Sequence, residues 1–188
     1  MTILDIAELG NPILRCHAQS IETVAEPRIL QLIDDLIATA EFRNGVGIAA
    51  PQVSESCCLF IIASRPSIRY PQAPKMSPTA IINPTIISYS NEIVKDWEGC
   101  LSIPGLRGLV PRDRAIEVEY TNIAGDRVRK IFTDFIARIF QHELDHLNGM
   151  VFLDRLESNK DLYTEGEYQR RIKETLKNRA TCGKIRNN

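Results

Sequence analysis

Residues 133–149 read Thr-Asp-Phe-Ile-Ala-Arg-Ile-Phe-Gln-His-Glu-Leu-Asp-His-Leu-Asn-Gly. Phe135, Ile136, Ile139, Phe140 and Leu147 supply the apolar positions of a helix. Thr133 or Asp134 can cap its start, and Asn148-Gly149 is a stop signal. Inside it stand His142, Glu143, Leu144, Asp145 and His146. Positions four apart share a helical face, so both imidazoles can reach one metal ion. Glu143 lies beside them, where it can take a proton from a water on that metal. Histidine occurs three times in the chain, and His17 has no such company. The plainer alternative is a chance motif on a solvated face, against which the apolar flanks speak.

Outward from this helix the pattern alternates between strands and one further helix. Ala115–Tyr120 alternates apolar and polar residues, and Asn122–Asp126 is a turn into a return strand over Arg127–Phe132. Ile81–Ile87 is β-branched, although Pro84 limits its pairing. Cys58–Ala63 is a short apolar run that suits a buried strand, and the prolines of 66–78 mark a loop. Ile29, Leu32, Ile33, Leu36, Ile37 and Ala40 predict a helix from Pro27 to about Asn44-Gly45. Asn11–Arg15 reads as a turn into an extended segment. The expectation is one α+β domain, with its catalytic part over 1–157 and a charged C-terminal helix or tail of the same domain over 158–188.

The chain has 188 residues, enough for one domain with a real core. It is 44% hydrophobic and 25% charged, which is ordinary globular usage and excludes a disordered or collagen-like chain. No apolar run approaches the roughly 18–20 residues of a membrane helix. Net charge is −1, so no overall basic excess for gripping nucleic acid is present, and no specific DNA binding is expected. The tail is different: 158–188 holds eight basic and four acidic residues. That surplus makes a transient ribosome contact plausible, although a solvated helix is the commoner explanation. Five cysteines at irregular spacing, with Cys57 and Cys58 adjacent, suit a reducing cytoplasm better than secretion. Met1–Gly10 shows no signal peptide, and the absence of Arg before Arg15 is unlike a transit peptide.

A catalytic metal wants three protein ligands and an open position. A third His ten residues after His142 is excluded, because that position is Phe152. Glu165 or Glu167, about twenty residues on, would suit a thermolysin-like peptidase but lie in the polar tail. The remaining candidate is Cys100, in Trp97-Glu-Gly-Cys-Leu-Ser-Ile-Pro-Gly105, whose Gly99, Pro104 and Gly105 read as a shaped turn. Cys100 could equally be a small packed residue, as Cys16, Cys57, Cys58 and Cys182 are read to be. A third stretch, Gly45-Val-Gly-Ile-Ala-Ala-Pro-Gln52, lets a backbone approach a ligand closely and ends in an amide; it could also be a plain turn.

Together, Gly45–Gln52, Glu98–Ser102 and Gln141–Gly149 resemble the three motifs of the peptide deformylases, complete and in the family's order. Leu9–Arg15 and Ile103–Arg112 extend the likeness, to roughly residues 3–156. The resemblance implies antiparallel and mixed sheets packed around a central metal-binding helix. It implies a metal-dependent hydrolase that removes the N-formyl group from the initiator formyl-methionine of nascent polypeptides. Cys100, His142 and His146 would hold one divalent metal: Fe²⁺ foremost, with Zn²⁺, Ni²⁺ or Co²⁺ also suited to the donors. Glu143 would be general base and acid, and the Gln52 side chain and Leu101 N–H would serve the developing oxyanion. Val46, Gly47 and Gly99 would bind the peptide as an added strand, with an apolar pocket beside the helix for methionine. Arg138 would either border that pocket or face water. Asp145 would be either bonded within the fold or solvated, and Glu98 could pair with Arg107. A bacterial cytoplasm is expected, with organellar origin left open.

Overall fold

The computed structural model describes residues 1–66, 70 and 72–184, with side chains to residue 174. Cys182 and the cations Lys177, Arg179, Lys184 and Arg186 of the basic tail therefore lie outside the described side chains.

Among the described residues, eight strands form two antiparallel sheets. The larger joins β1 (Gly47–Ala49), β2 (Leu59–Ile62), β3 (Thr79–Tyr89), β6 (Ala115–Thr121) and β7 (Arg127–Thr133) in the order β1-β2-β3-β6-β7. The smaller joins β4 (Ile93–Cys100), β5 (Ile103–Asp113) and β8 (Leu162–Thr164) in the order β4-β5-β8. The described residues also form three α-helices: α1 (Pro27–Phe42), α2 (Asp134–Leu147) and α3 (Glu165–Lys184).

The apolar run in β2 is buried on both faces. Its Leu59 and Ile61 pack with Ile29, Ile33 and Leu36 of α1. Its Phe60 and Ile62 pack with Ala137, Ile139 and Phe140 of α2. A strand covered by a helix on each side needs no polar alternation, which is why 58–63 reads as continuous apolar sequence. Phe140 anchors α2, its ring edge-on to Phe60 at 5.1 Å and tilted against Phe132 at 5.8 Å. The opposite face of α2, with Arg138, His142 and Asp145, meets the β4–β5 hairpin.

Helix α1 stops as expected, with Asn44 in the left-handed region at φ 54°. Three readings change. Pro12–Arg15 is a single 3₁₀ turn, capped by Asn11 Oδ1 accepting from Ile13 N. Pro84 does not interrupt β3; it sits where the register with β6 shifts between Ile82 and Thr85. The segment around Cys100 is not a free-standing turn. Long-range pairing makes it the end of a hairpin, β4 paired with β5 from Ile93–Asp113 to Cys100–Ile103. The chain after residue 157 also contributes to the smaller sheet, since β8 pairs with Leu106–Gly108 of β5. No helix among the described residues is long and apolar enough to cross a membrane.

Candidate metal centre

His142 and His146 lie one turn apart on α2, their rings edge-on with centroids 5.2 Å apart. Cys100, at the end of β4, brings its Sγ to 3.2 Å from His146 Nε2. One ligand atom from each of Cys100, His142 and His146 lies within 4.8 Å of the other two. Helix spacing brings the two imidazoles together, but the thiol arrives only because β4 ends against α2.

The donor set is held from behind. His142 Nδ1 lies 2.8 Å from Glu98 Oε2, so Nδ1–H donates there and Nε2 is left as the ligand atom. Glu98 in turn accepts from Arg112 Nε and Nη2, both at 3.0 Å, and from Arg138 Nη1 at 2.8 Å. Burial alone would raise the Glu98 carboxyl, but Arg112 and His142 outweigh it and hold it well below the usual carboxylate range. Arg112 continues to Asp145 Oδ2 at 2.6 Å, and Arg155 reaches Asp145 Oδ1 at 2.6 Å. Asp145 is thus a buried, doubly paired carboxylate. For His146, burial foremost and then the charges of His142 and Arg112 push the imidazole well below its ordinary value, which favours the neutral form a metal requires.

Glu143 is the chemically exposed consequence of this packing. Its Oε2 is buried and has no hydrogen-bond partner among the described residues. Burial pushes its carboxyl up to about 7, aided by Glu98 and opposed by His142. A buried carboxyl oxygen left without a partner beside an N₂S donor set is what a metal with a water at its side would satisfy. A Cβ at Gly47 would overlap Glu143 Oε1 and come within 2.9 Å of Ile139 Cγ2. Only glycine lets β1 pass this close to α2.

The remaining expected residues converge on the same cleft, which Val46, Gly47, Gln52, Gly99, Leu101 and Glu143 line. Gln52 Oε1 accepts from Ala49 N at 2.9 Å, which turns its Nε2 towards Cys100 Sγ at 3.3 Å and Ser102 Oγ at 3.1 Å. Leu101 follows Cys100 in the hairpin turn. The Val46 carbonyl is already bonded to Ala63 N–H at 2.8 Å. β1 and β4 are each the terminal strand of their sheet, so two open strand edges face this cleft.

Four expectations are corrected or resolved. Glu98 does not pair with Arg107; it pairs with Arg112 and Arg138, because those guanidiniums approach from β5 and α2 on the inner side. Arg107 instead reaches Glu165 Oε2 at 2.6 Å and Tyr70 OH at 2.9 Å. Glu165 is therefore committed to Arg107 and lies outside the donor set. Arg138 borders the cleft but is buried, its Nη1 and Nη2 also donating to Val110 O and Val94 O. Cys16 is exposed rather than packed, whereas Cys57 is buried. Sequence reasoning did not single out Arg112, Arg155, Tyr70 or Tyr168; an arginine within the alternating pattern of a buried strand was the available signal for Arg112.

Fold and site together define a class: an α+β protein in which a helix-borne His pair, a hairpin thiol and a buried glutamate meet between two open strand edges. The chain belongs to the polypeptide deformylase family, whose sequence model matches residues 3–161. It is similar to peptide deformylase 2 of Nostoc sp., 58% identical over 175 residues that cover 93% of this chain and 98% of that one. To peptide deformylase 2 of Shewanella oneidensis it is 44% identical over 168 residues, 88% and 92% of the two chains. Among solved structures, the Met-Ala-Ser-bound class I type b peptide deformylase of Acinetobacter baumannii aligns with a TM-score of 0.81 at 43% identity, over 82% of this chain and 99% of that one. The peptide deformylase of Thermotoga maritima aligns with a TM-score of 0.75 at 33% identity, over 84% and 100%.

Proposed function

We propose that this enzyme hydrolyses the N-formyl group from the initiator formyl-methionine of nascent polypeptides and releases formate, in the bacterial cytoplasm where such chains are made. The observation that carries this reading is the buried Glu143 Oε2, without a hydrogen-bond partner among the described residues, beside the converging Cys100, His142 and His146.

Cys100, His142 and His146 are the residues that would hold one divalent metal, and their N₂S chemistry suits Fe²⁺ and equally Zn²⁺, Ni²⁺ or Co²⁺. When bound, the metal supplies Lewis acidity and makes a nearby water acidic enough to ionise near neutral pH. Glu143 takes the proton of the attacking water and returns it to the leaving amine, a double role that suits a carboxyl raised by burial. The Gln52 Nε2–H and the Leu101 N–H donate to the oxygen of the formyl group as it gains charge; one such donor is worth about 10²–10³ in rate. Val46 N–H, Gly47 and Gly99 pair with the peptide backbone across the two strand edges, which fixes an extended chain without reading its side chains. Phe135, Ile139 and the Arg138 stem form the apolar surface for the methionine side chain.

The test is formate release from formyl-Met-Ala-Ser. Activity is expected in the metal-loaded enzyme, lost on chelation, and abolished in Glu143→Ala. Full activity in that variant would overturn the mechanism.

A further inference from the structure

Arg138 stands one helical turn before His142, so the two share a face of α2. The residue is buried. Its Nη1 donates to Glu98 Oε1 at 2.8 Å and to Val110 O at 2.9 Å, and its Nη2 donates to Val94 O at 2.6 Å. Val94 lies on β4 and Val110 on β5, so one planar group joins α2 to both strands of the hairpin that carries Cys100. At Glu98, Oε1 accepts from Arg112 Nε and Arg138 Nη1, while Oε2 accepts from Arg112 Nη2 and His142 Nδ1. Space filling does not account for Arg138. It lines the cleft at Cys100, His142 and Glu143, and it also lines a second cavity of about 400 Å³ with Val94, Phe135 and Tyr168. Pairing of Glu98 does not require it either, because Arg112 already bonds both carboxylate oxygens. What Arg138 adds is a fork that holds acceptors in fixed directions, which an ammonium group cannot reproduce.

We propose that Arg138 is a positioning residue of the metal centre: its guanidinium fork sets the spacing between the hairpin that carries Cys100 and the helix that carries His142 and His146. This role rests on the metal-dependent deformylase reading above and is distinct from that of the Arg138 stem at the methionine surface. Two of the three donors are reached through the fork. The Glu98 arm fixes the carboxylate that orients His142. The Val94 and Val110 arms fix the strands that deliver the thiol. His146 has no such support, since its buried Nδ1 lacks a hydrogen-bond partner among the described residues. Loss of the fork therefore loosens Cys100 and His142 while the helix itself still presents His146.

The test loads the full-length protein with Co²⁺ and compares wild type with Arg138→Lys and Arg138→Met. Both substitutions keep an unbranched stem in the cleft, and both leave Glu98 paired with Arg112. Two quantities are read: Co²⁺ affinity, by competition against a chelator, and the thiolate-to-metal charge-transfer band per bound ion. In both variants affinity is expected to fall about 10–100-fold, with a weakened or shifted band and retained far-ultraviolet circular dichroism. Wild-type affinity and band in Arg138→Met overturn the proposal. Full rescue in Arg138→Lys also overturns it, because charge would then suffice without the fork. So does a lower urea midpoint with an unchanged band per bound ion, which marks a residue that only stabilises the fold. Formate release from formyl-Met-Ala-Ser by the wild type separates the two readings. If the wild type shows the thiolate band but releases no formate, the deformylase reading falls and the band in the variants still decides the role of Arg138. If formate is released and both variants match the wild type in affinity and band, only the present proposal falls.

Discussion

Glu98 Oε2 stands 2.8 Å from His142 Nδ1, and that one contact decides which imidazole nitrogen turns towards Cys100. Glu98→Gln keeps the shape and removes the charge that makes His142 a good donor. Metal affinity is expected to fall about 10–100-fold, measured by competition against a chromophoric chelator. An unchanged affinity would mean that packing alone orients His142.

Arg112 lies between two buried carboxylates, Glu98 and Asp145, each of which is 4% exposed at the side chain. Removing the cation leaves both charges buried and under-compensated. Arg112→Ala is expected to cost about 3–5 kcal/mol of stability in urea unfolding. Arg155→Ala is expected to cost about 1 kcal/mol or less, because Arg155 is 43% exposed and water replaces part of its pairing with Asp145. Equal losses for the two variants would contradict this ordering.

Gly47 is expected to tolerate no side chain. In Gly47→Ala the new methyl meets Glu143 Oε1 and Ile139 Cγ2, so the carboxyl group must move. In the proposed role of Glu143 as proton carrier, a displacement of about 1 Å costs about 100-fold in rate. We expect kcat to fall by that order while the far-ultraviolet circular dichroism is retained. A fully active variant would show that Glu143 has room to spare.

The cysteines separate by environment. Burial foremost, with the Glu55 charge, pushes the Cys57 thiol up to about 11. The thiolate is the reactive form, so Cys57 is almost wholly the unreactive thiol at pH 8 and becomes half thiolate only near pH 11. Iodoacetamide at pH 8 is expected to label the exposed Cys16 and to spare Cys57 until the protein is unfolded, as read by peptide mass mapping. Labelling of Cys57 in the native protein at pH 8 would show that this wall opens.

The His142–His146 pair on one helical face, the strands at 58–63, 115–120 and 127–132, and the left-handed stop after α1 were legible in the sequence. Each rests on residues within a few positions of one another, where helical or strand periodicity and turn chemistry act directly. The three deformylase motifs were legible too, as short patterns in fixed order. The partners of the arginines were not. Arg107 and Arg112 are five residues apart on β5, and either could have been assigned to Glu98. Which one meets it depends on the β4–β5 register and on the side of the hairpin that faces α2. The joining of Trp97 and Arg107 to Tyr168, and the cavity behind Arg138, likewise needed α3 folded back against the smaller sheet. Local sequence determined the elements and the donor types. Tertiary structure alone decided the charge pairing and the pocket shape, because both are set by contacts between segments that only chain closure brings together.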